Sequence, residues 1–167
     1  MHRHLKFRKD KLDSMDIWQQ FLSNHTLVSA CIAWLVAQVI KTLIDFRVYK
    51  SFNPERLVGS GGMPSSHSST VCALTTSALL EYGISSFQFS VCFILAMVVM
   101  YDATGVRMET GKQAKVLNML LKENPFEWKG EILEQKLKEF VGHTPLQVFA
   151  GAVLGILIAV VMNQMWG

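Results

Sequence analysis

Two histidines stand at the head of uncharged stretches in this chain: His67 in Pro64-Ser65-Ser66-His67-Ser68, and His143 in Gly142-His143-Thr144-Pro145. Proline beside a serine or threonine marks a helix start, and the spacing predicts Pro64 and Pro145 at first helical positions. A helix start presents free N–H groups and the positive end of the peptide dipoles, which attract anions. The same field disfavours imidazolium, so a histidine there stays available as a nucleophile or base near neutral pH. Lys41 and Arg107, with Arg47 or Arg56, would add cationic groups, and Gly62, Ser65 and Ser66 would add backbone and hydroxyl donors. Phosphate is the natural occupant of such a pocket. Singly, an interfacial histidine or arginine is more often a headgroup anchor, and Lys112 and Lys115 read that way.

These residues share a site only if the intervening segments bring them to one level. The 167 residues carry 16 Lys and Arg and 13 Asp and Glu, and none of these falls in 17–40, 57–80, 82–101 or 140–167. Each window has about the 20 residues needed to cross a bilayer core. The expected architecture is therefore all-α: a membrane-embedded bundle of about four transmembrane helices, forming one domain over 17–167. A soluble bundle is disfavoured because Thr26–Ile40, Val91–Tyr101 and Leu146–Met162 lack a charged outer face. Alternating spans put Lys41, the link containing Arg56, His67, Asp102, Arg107 and His143 on one side of the membrane.

The remaining segments fit around these spans. Residues 1–16 form a basic arm, suited to solvent or to anionic headgroups. Cys31, Cys72 and Cys92 all lie in apolar windows and suggest neither a disulfide framework nor a metal site. Val28-Ser29-Ala30-Cys31 resembles a lipoprotein cleavage box, but the apolar run continues beyond it, so an uncleaved first helix is expected. Lys41 either snorkels to the interface or points at something anionic. The link with Asn53-Pro54 and Gly59-Ser60-Gly61-Gly62 breaks the helix before span two. Small residues recur every four positions at Ser69, Ala73 and Ser77, and at Gly151, Gly155 and Ala159, where they favour close packing inside the bundle. Between Met108 and Val141 the chain turns charged and amphipathic. Two short helices are expected there, lying on the membrane with Phe126 and Trp128 as anchors or forming a solvated hairpin. Glu134 and Lys138 would form an i,i+4 pair within them.

The strings from Gly61 to Ser68, from Tyr101 to Arg107 with Gly111-Lys112-Gln113-Ala114, and from Gly142 to Val148 resemble the divergent PAP2 family, which is related to type 2 phosphatidic acid phosphatases and vanadium-dependent haloperoxidases. The resemblance covers about Lys41 to Ala159 and implies a PAP2/haloperoxidase-like helical core. It implies His143 as the nucleophile that forms a phosphohistidine, His67 as general acid, and Lys41 with arginines as phosphate ligands. Such chemistry requires no metal or other cofactor, because cationic side chains and helix-end donors stabilise the developing charge. The sequence departs from the superfamily at Gln147, where an aspartate usually orients the nucleophilic histidine; Asp102 is the candidate substitute. Also absent is the arginine usual shortly before that histidine, which leaves Arg107 to supply the guanidinium. These departures weigh on turnover more than on phosphate binding.

Two functions are therefore expected to compete. One is an integral-membrane phosphatase acting on a lipid phosphate monoester or diphosphate; the other is a non-catalytic membrane protein that binds phospholipid or phosphate for transport, assembly or regulation. The expected partners are a phosphorylated lipid and the bilayer, with a homo-oligomer allowed and no role for nucleic acid. A multi-pass location in the cell membrane follows, and the ten Lys and Arg of the site-side links against five on the arm lean the site towards the cytoplasm.

Overall fold

A computed structural model describes residues 16–50, 62–123 and 142–166. Among these, every regular element is an α-helix: α1 (Ile17–Leu22), α2 (His25–Tyr49), α3 (Ser66–Tyr82), α4 (Phe87–Thr104), α5 (Val106–Glu123) and α6 (Pro145–Trp166). The arm over 1–15, most of the first link including Arg56, and the segment with Phe126, Trp128, Glu134 and Lys138 lie outside the described residues.

Local chemistry sets the helix starts. Asn24, Ser65 and Ser86 cap α2, α3 and α4, each accepting from the backbone N–H three residues on, at 3.1, 3.3 and 3.1 Å. Ser65 thus takes the cap of α3, and Pro64 precedes it instead of opening the helix; the Met63–Pro64 bond is cis. At α6 the expectation holds, with Pro145 as the first helical residue.

Packing is organised around α3, which contacts α2, α4 and α6, while α2 and α6 also pack on each other. Small side chains make this possible. A Cβ on Gly151 would lie 2.3 Å from the Ser65 carbonyl oxygen, and one on Gly155 would lie 2.2 Å from that of Ser69. The backbones of α3 and α6 therefore touch directly, and the two period-four stripes face each other inside the bundle. Ala33, Ala73 and Ala159, from α2, α3 and α6, form a fully buried layer at its centre. Polar groups within the helices are satisfied across these contacts, as where Ser69 Oγ donates to the Ala33 carbonyl at 3.1 Å and Thr75 Oγ1 to that of Cys92 at 3.0 Å.

Apolar side chains such as Leu35, Leu43, Ile94, Phe149 and Leu157 point outward, as expected where the solvent is lipid. Among the described residues, three helices can cross a membrane by length and composition: His25–Val48, Phe87–Leu120 and Pro145–Trp166. The second of these combines α4 and α5, which are separated only by Gly105. Where two short amphipathic helices are expected after span three, the described residues hold one 18-residue helix, α5, that runs on from α4. α3 has 17 residues, rises about 26 Å, and is the hydroxyl-rich element enclosed by the others.

Candidate phosphate site

The ends of four helices meet at one end of the bundle. The Ser65 N–H donates to the Gln147 carbonyl at 3.0 Å and ties the head of α3 to α6, while the His143 N–H donates to the Ala103 carbonyl at 3.0 Å and ties the head of α6 to the tail of α4. Gly142, at φ +93°, presses against the start of α5, where a Cβ would fall 2.4 Å from the Met108 nitrogen. Only glycine meets both conditions. The backbone that carries His143 is thereby held against the junction between α4 and α5.

Gln147 fixes the ring. Its Oε1 accepts from the Thr144 N–H at 3.0 Å, and Thr144 Oγ1 receives the Gln147 N–H at 3.4 Å, forming a reciprocal capping box. Because the Thr144 N–H can only donate, the side-chain atom facing it is the amide oxygen. That same oxygen lies 3.3 Å from His143 Nδ1. An oxygen can only accept, so Nδ1 carries the proton and Nε2 carries the lone pair in neutral imidazole. His143 is 3% exposed, and its Nε2 has no hydrogen-bond partner among the described residues. Burial holds His143 below the usual histidine range; the Gln147 hydrogen bond opposes this, positive charge on His67 and Lys41 adds to it, and the Gly62 backbone opposes it slightly. The ring is accordingly neutral at neutral pH.

His67 lies across from it, in the first turn of α3, with ring centroids 6.3 Å apart and planes at 59°. Both rings line a cavity of about 210 Å³ with Val98, Val99, Asp102, Ala103 and Arg107. Lys41, 2% exposed, comes from α2 and lies close enough to act electrostatically on both histidines. Gly62, at φ +97°, lies over its stem, where a Cβ would come within 2.9 Å of Lys41 Cγ. Asp45, one turn on, is the carboxylate acting on Lys41.

The structure thus brings together His143, His67, Lys41, Gly62, Asp102 and Arg107 from the residues singled out in the sequence. Three assignments change. Asp102 does not orient His143: its Oδ2 accepts from Arg107 Nε at 2.6 Å, and Gln147 occupies the orienting place. Ser65 is fully buried, with its hydroxyl capping α3 and accepting from Ser68 Oγ at 3.0 Å, so it positions the helix instead of facing a ligand. Ser66 is buried and its carbonyl accepts from Thr70 Oγ1 at 2.7 Å, while its side chain is absent from the cavity lining. Sequence reasoning missed Val98 and Val99 as apolar walls and Asp45 as the partner of Lys41. The four-residue spacing of Lys41 and Asp45 was a readable signal for the latter.

Residues 22–158 match the sequence profile of the divergent PAP2 family. The chain is also 41% identical over 153 residues to the uncharacterized membrane protein YuiD of Bacillus subtilis (strain 168), covering 86% of this chain and 96% of that protein. No solved structure is significantly similar. The matched region contains every residue of the cavity, its buried lysine and the glutamine that orients His143, together with α2 to α5 and most of α6; the chain belongs to the divergent PAP2 family.

Proposed function

We propose that this protein is a multi-pass enzyme of the cell membrane that removes phosphate from a phosphorylated lipid, with α3 as a fourth span. The observation that carries the reading is the buried, unpartnered Nε2 of His143, held as a lone pair by Gln147 in a cavity shared with His67 and Arg107. Nε2 attacks phosphorus, and the P–O bond to the lipid breaks as His67 protonates the leaving oxygen. Water then attacks the phosphohistidine with His67 as base, releasing phosphate and restoring both rings. Lys41 and Arg107 hold the phosphoryl oxygens as charge builds on them.

A second reading, phosphate or phospholipid binding without turnover, is favoured by Gln147 itself, because a neutral amide stabilises an imidazolium less than a carboxylate does. Phosphate release from short-chain lipid phosphates by purified protein separates the two. Release blocked by vanadate supports catalysis, whereas saturable phosphate binding with no release supports the second reading.

A further inference from the structure

A second polar cavity, of about 150 Å³, lies at the opposite end of the bundle, between the start of α2 and the tails of α3 and α6. Its polar lining comes from Thr26, Ser29, Ser77, Glu81 and Asn163, and His25 and Trp166, stacked with centroids 4.4 Å apart, form an aromatic wall. Glu81 is the only charged residue between Leu57 and Tyr101. The Thr26 hydroxyl donates to its Oε2 at 2.8 Å, which holds the carboxylate at the cavity. Ser77 Oγ lines the same cavity, and although the residue is only 7% exposed it has no hydrogen-bond partner among the described residues. A buried hydroxyl left unsatisfied costs stability, and its place in a cavity wall points to a ligand that completes it.

The lining selects the ligand. One carboxylate, three hydroxyls, an amide and the negative dipole ends of α3 and α6, set against the single positive end of α2, favour a cation. Among the described residues no group of three or more His, Cys, Asp or Glu could hold a metal ion. Acceptors on three helices suit a group with several N–H donors, and an aromatic wall suits an organic cation. The depth is that of a headgroup, because Ile17, Trp18 and Leu22 of α1 stand exposed beside the start of α2 in the manner of an interfacial anchor.

We propose that this cavity binds a primary ammonium group, carried by an aminophospholipid headgroup or by a free small amine. To test this, purified full-length protein is equilibrated with equimolar phosphatidylethanolamine, phosphatidylcholine and phosphatidylglycerol, and the retained lipid is read by native mass spectrometry. Phosphatidylethanolamine is expected to exceed phosphatidylcholine by about tenfold, a preference lost in Glu81→Gln because a charge-assisted hydrogen bond becomes a neutral one. Ser77→Ala leaves the Thr26–Glu81 pair intact and is expected to reduce the preference about threefold, so the test does not depend on Glu81→Gln folding. Displacement of the lipid by ethanolamine shows that the headgroup amine is read; a melting temperature raised by ethanolamine without lipid preference shows the free amine to be the ligand. Equal retention of the two zwitterionic lipids with no effect of ethanolamine, or a preference unchanged in both variants, overturns the proposal.

Discussion

The two ends of the bundle use the same helices in opposite ways. At one end α3 and α6 begin, and their heads meet Lys41, His67, His143 and Arg107; at the other they finish, and their tails meet Thr26, Ser77, Glu81 and Asn163. Positive dipole ends with cationic side chains suit an anion, and negative dipole ends with a carboxylate suit a cation. Between them lies the apolar layer of Ala33, Ala73 and Ala159. Two polar sites can thus coexist in one small bundle because the side chains, together with the polarity of α3 and α6, assign each its charge and a few alanines separate them.

The severest perturbation forces apart the helices that both ends share. Gly155→Val would drive a side chain into the Ser69 carbonyl, whose oxygen would lie 2.2 Å from the new Cβ. A cost of about 3 kcal/mol or more is expected, with ligand binding at both ends lost together and the thermal transition shifted down or abolished. His143→Ala should instead act at one end only, lowering phosphate release by at least about a thousandfold while the thermal transition stays cooperative. Gln147→Leu should retain the nucleophile but release its tautomer, at a cost of roughly a hundredfold in turnover.

Gln147→Asp distinguishes the anion end further, through pH. In the proposed mechanism neutral His143 is the reactive form, so activity should fall as pH drops through its pKa, and burial places that acid limb below the usual histidine value of about 6.5. A carboxylate at 147 favours the imidazolium and raises that pKa, so the limb in the pH–rate profile should move to higher pH. The smallest effect is expected from Asp102→Asn. The Asp102–Arg107 pair is 38–45% exposed, and such a pair contributes under about 1 kcal/mol. Only a few-fold change in KM for the phosphorylated substrate should result.

How much of this was legible in the sequence varied with the kind of signal. The stripes at Ser69, Ala73 and Ser77 and at Gly151, Gly155 and Ala159 were legible because helical periodicity puts them on one face, and they do meet inside the bundle. The meeting of His67 with His143 followed from the helix-start residues beside each and from counting spans. Side-chain allegiance was harder to read. Asp102 has two candidate partners, His143 and Arg107, and only the geometry awards it to Arg107. Ser65 and Pro64 both favour a helix start, and which of them caps depends on the hydroxyl reaching the Ser68 N–H. The cavity around Glu81 draws single residues from three helices, so no spacing along the chain announces it.

The proposed catalysis at the anion end requires a bond between His143 Nε2 and phosphorus. That bond can be caught by mixing purified protein with a short-chain lipid phosphate, quenching in alkali on the millisecond scale, and mapping phosphorylated peptides by mass spectrometry. Phosphate is expected on His143, formed as fast as turnover and absent from His143→Ala. Phosphate release that proceeds with no label on His143, or at an unchanged rate in His143→Ala, would show that the bond is not part of the reaction.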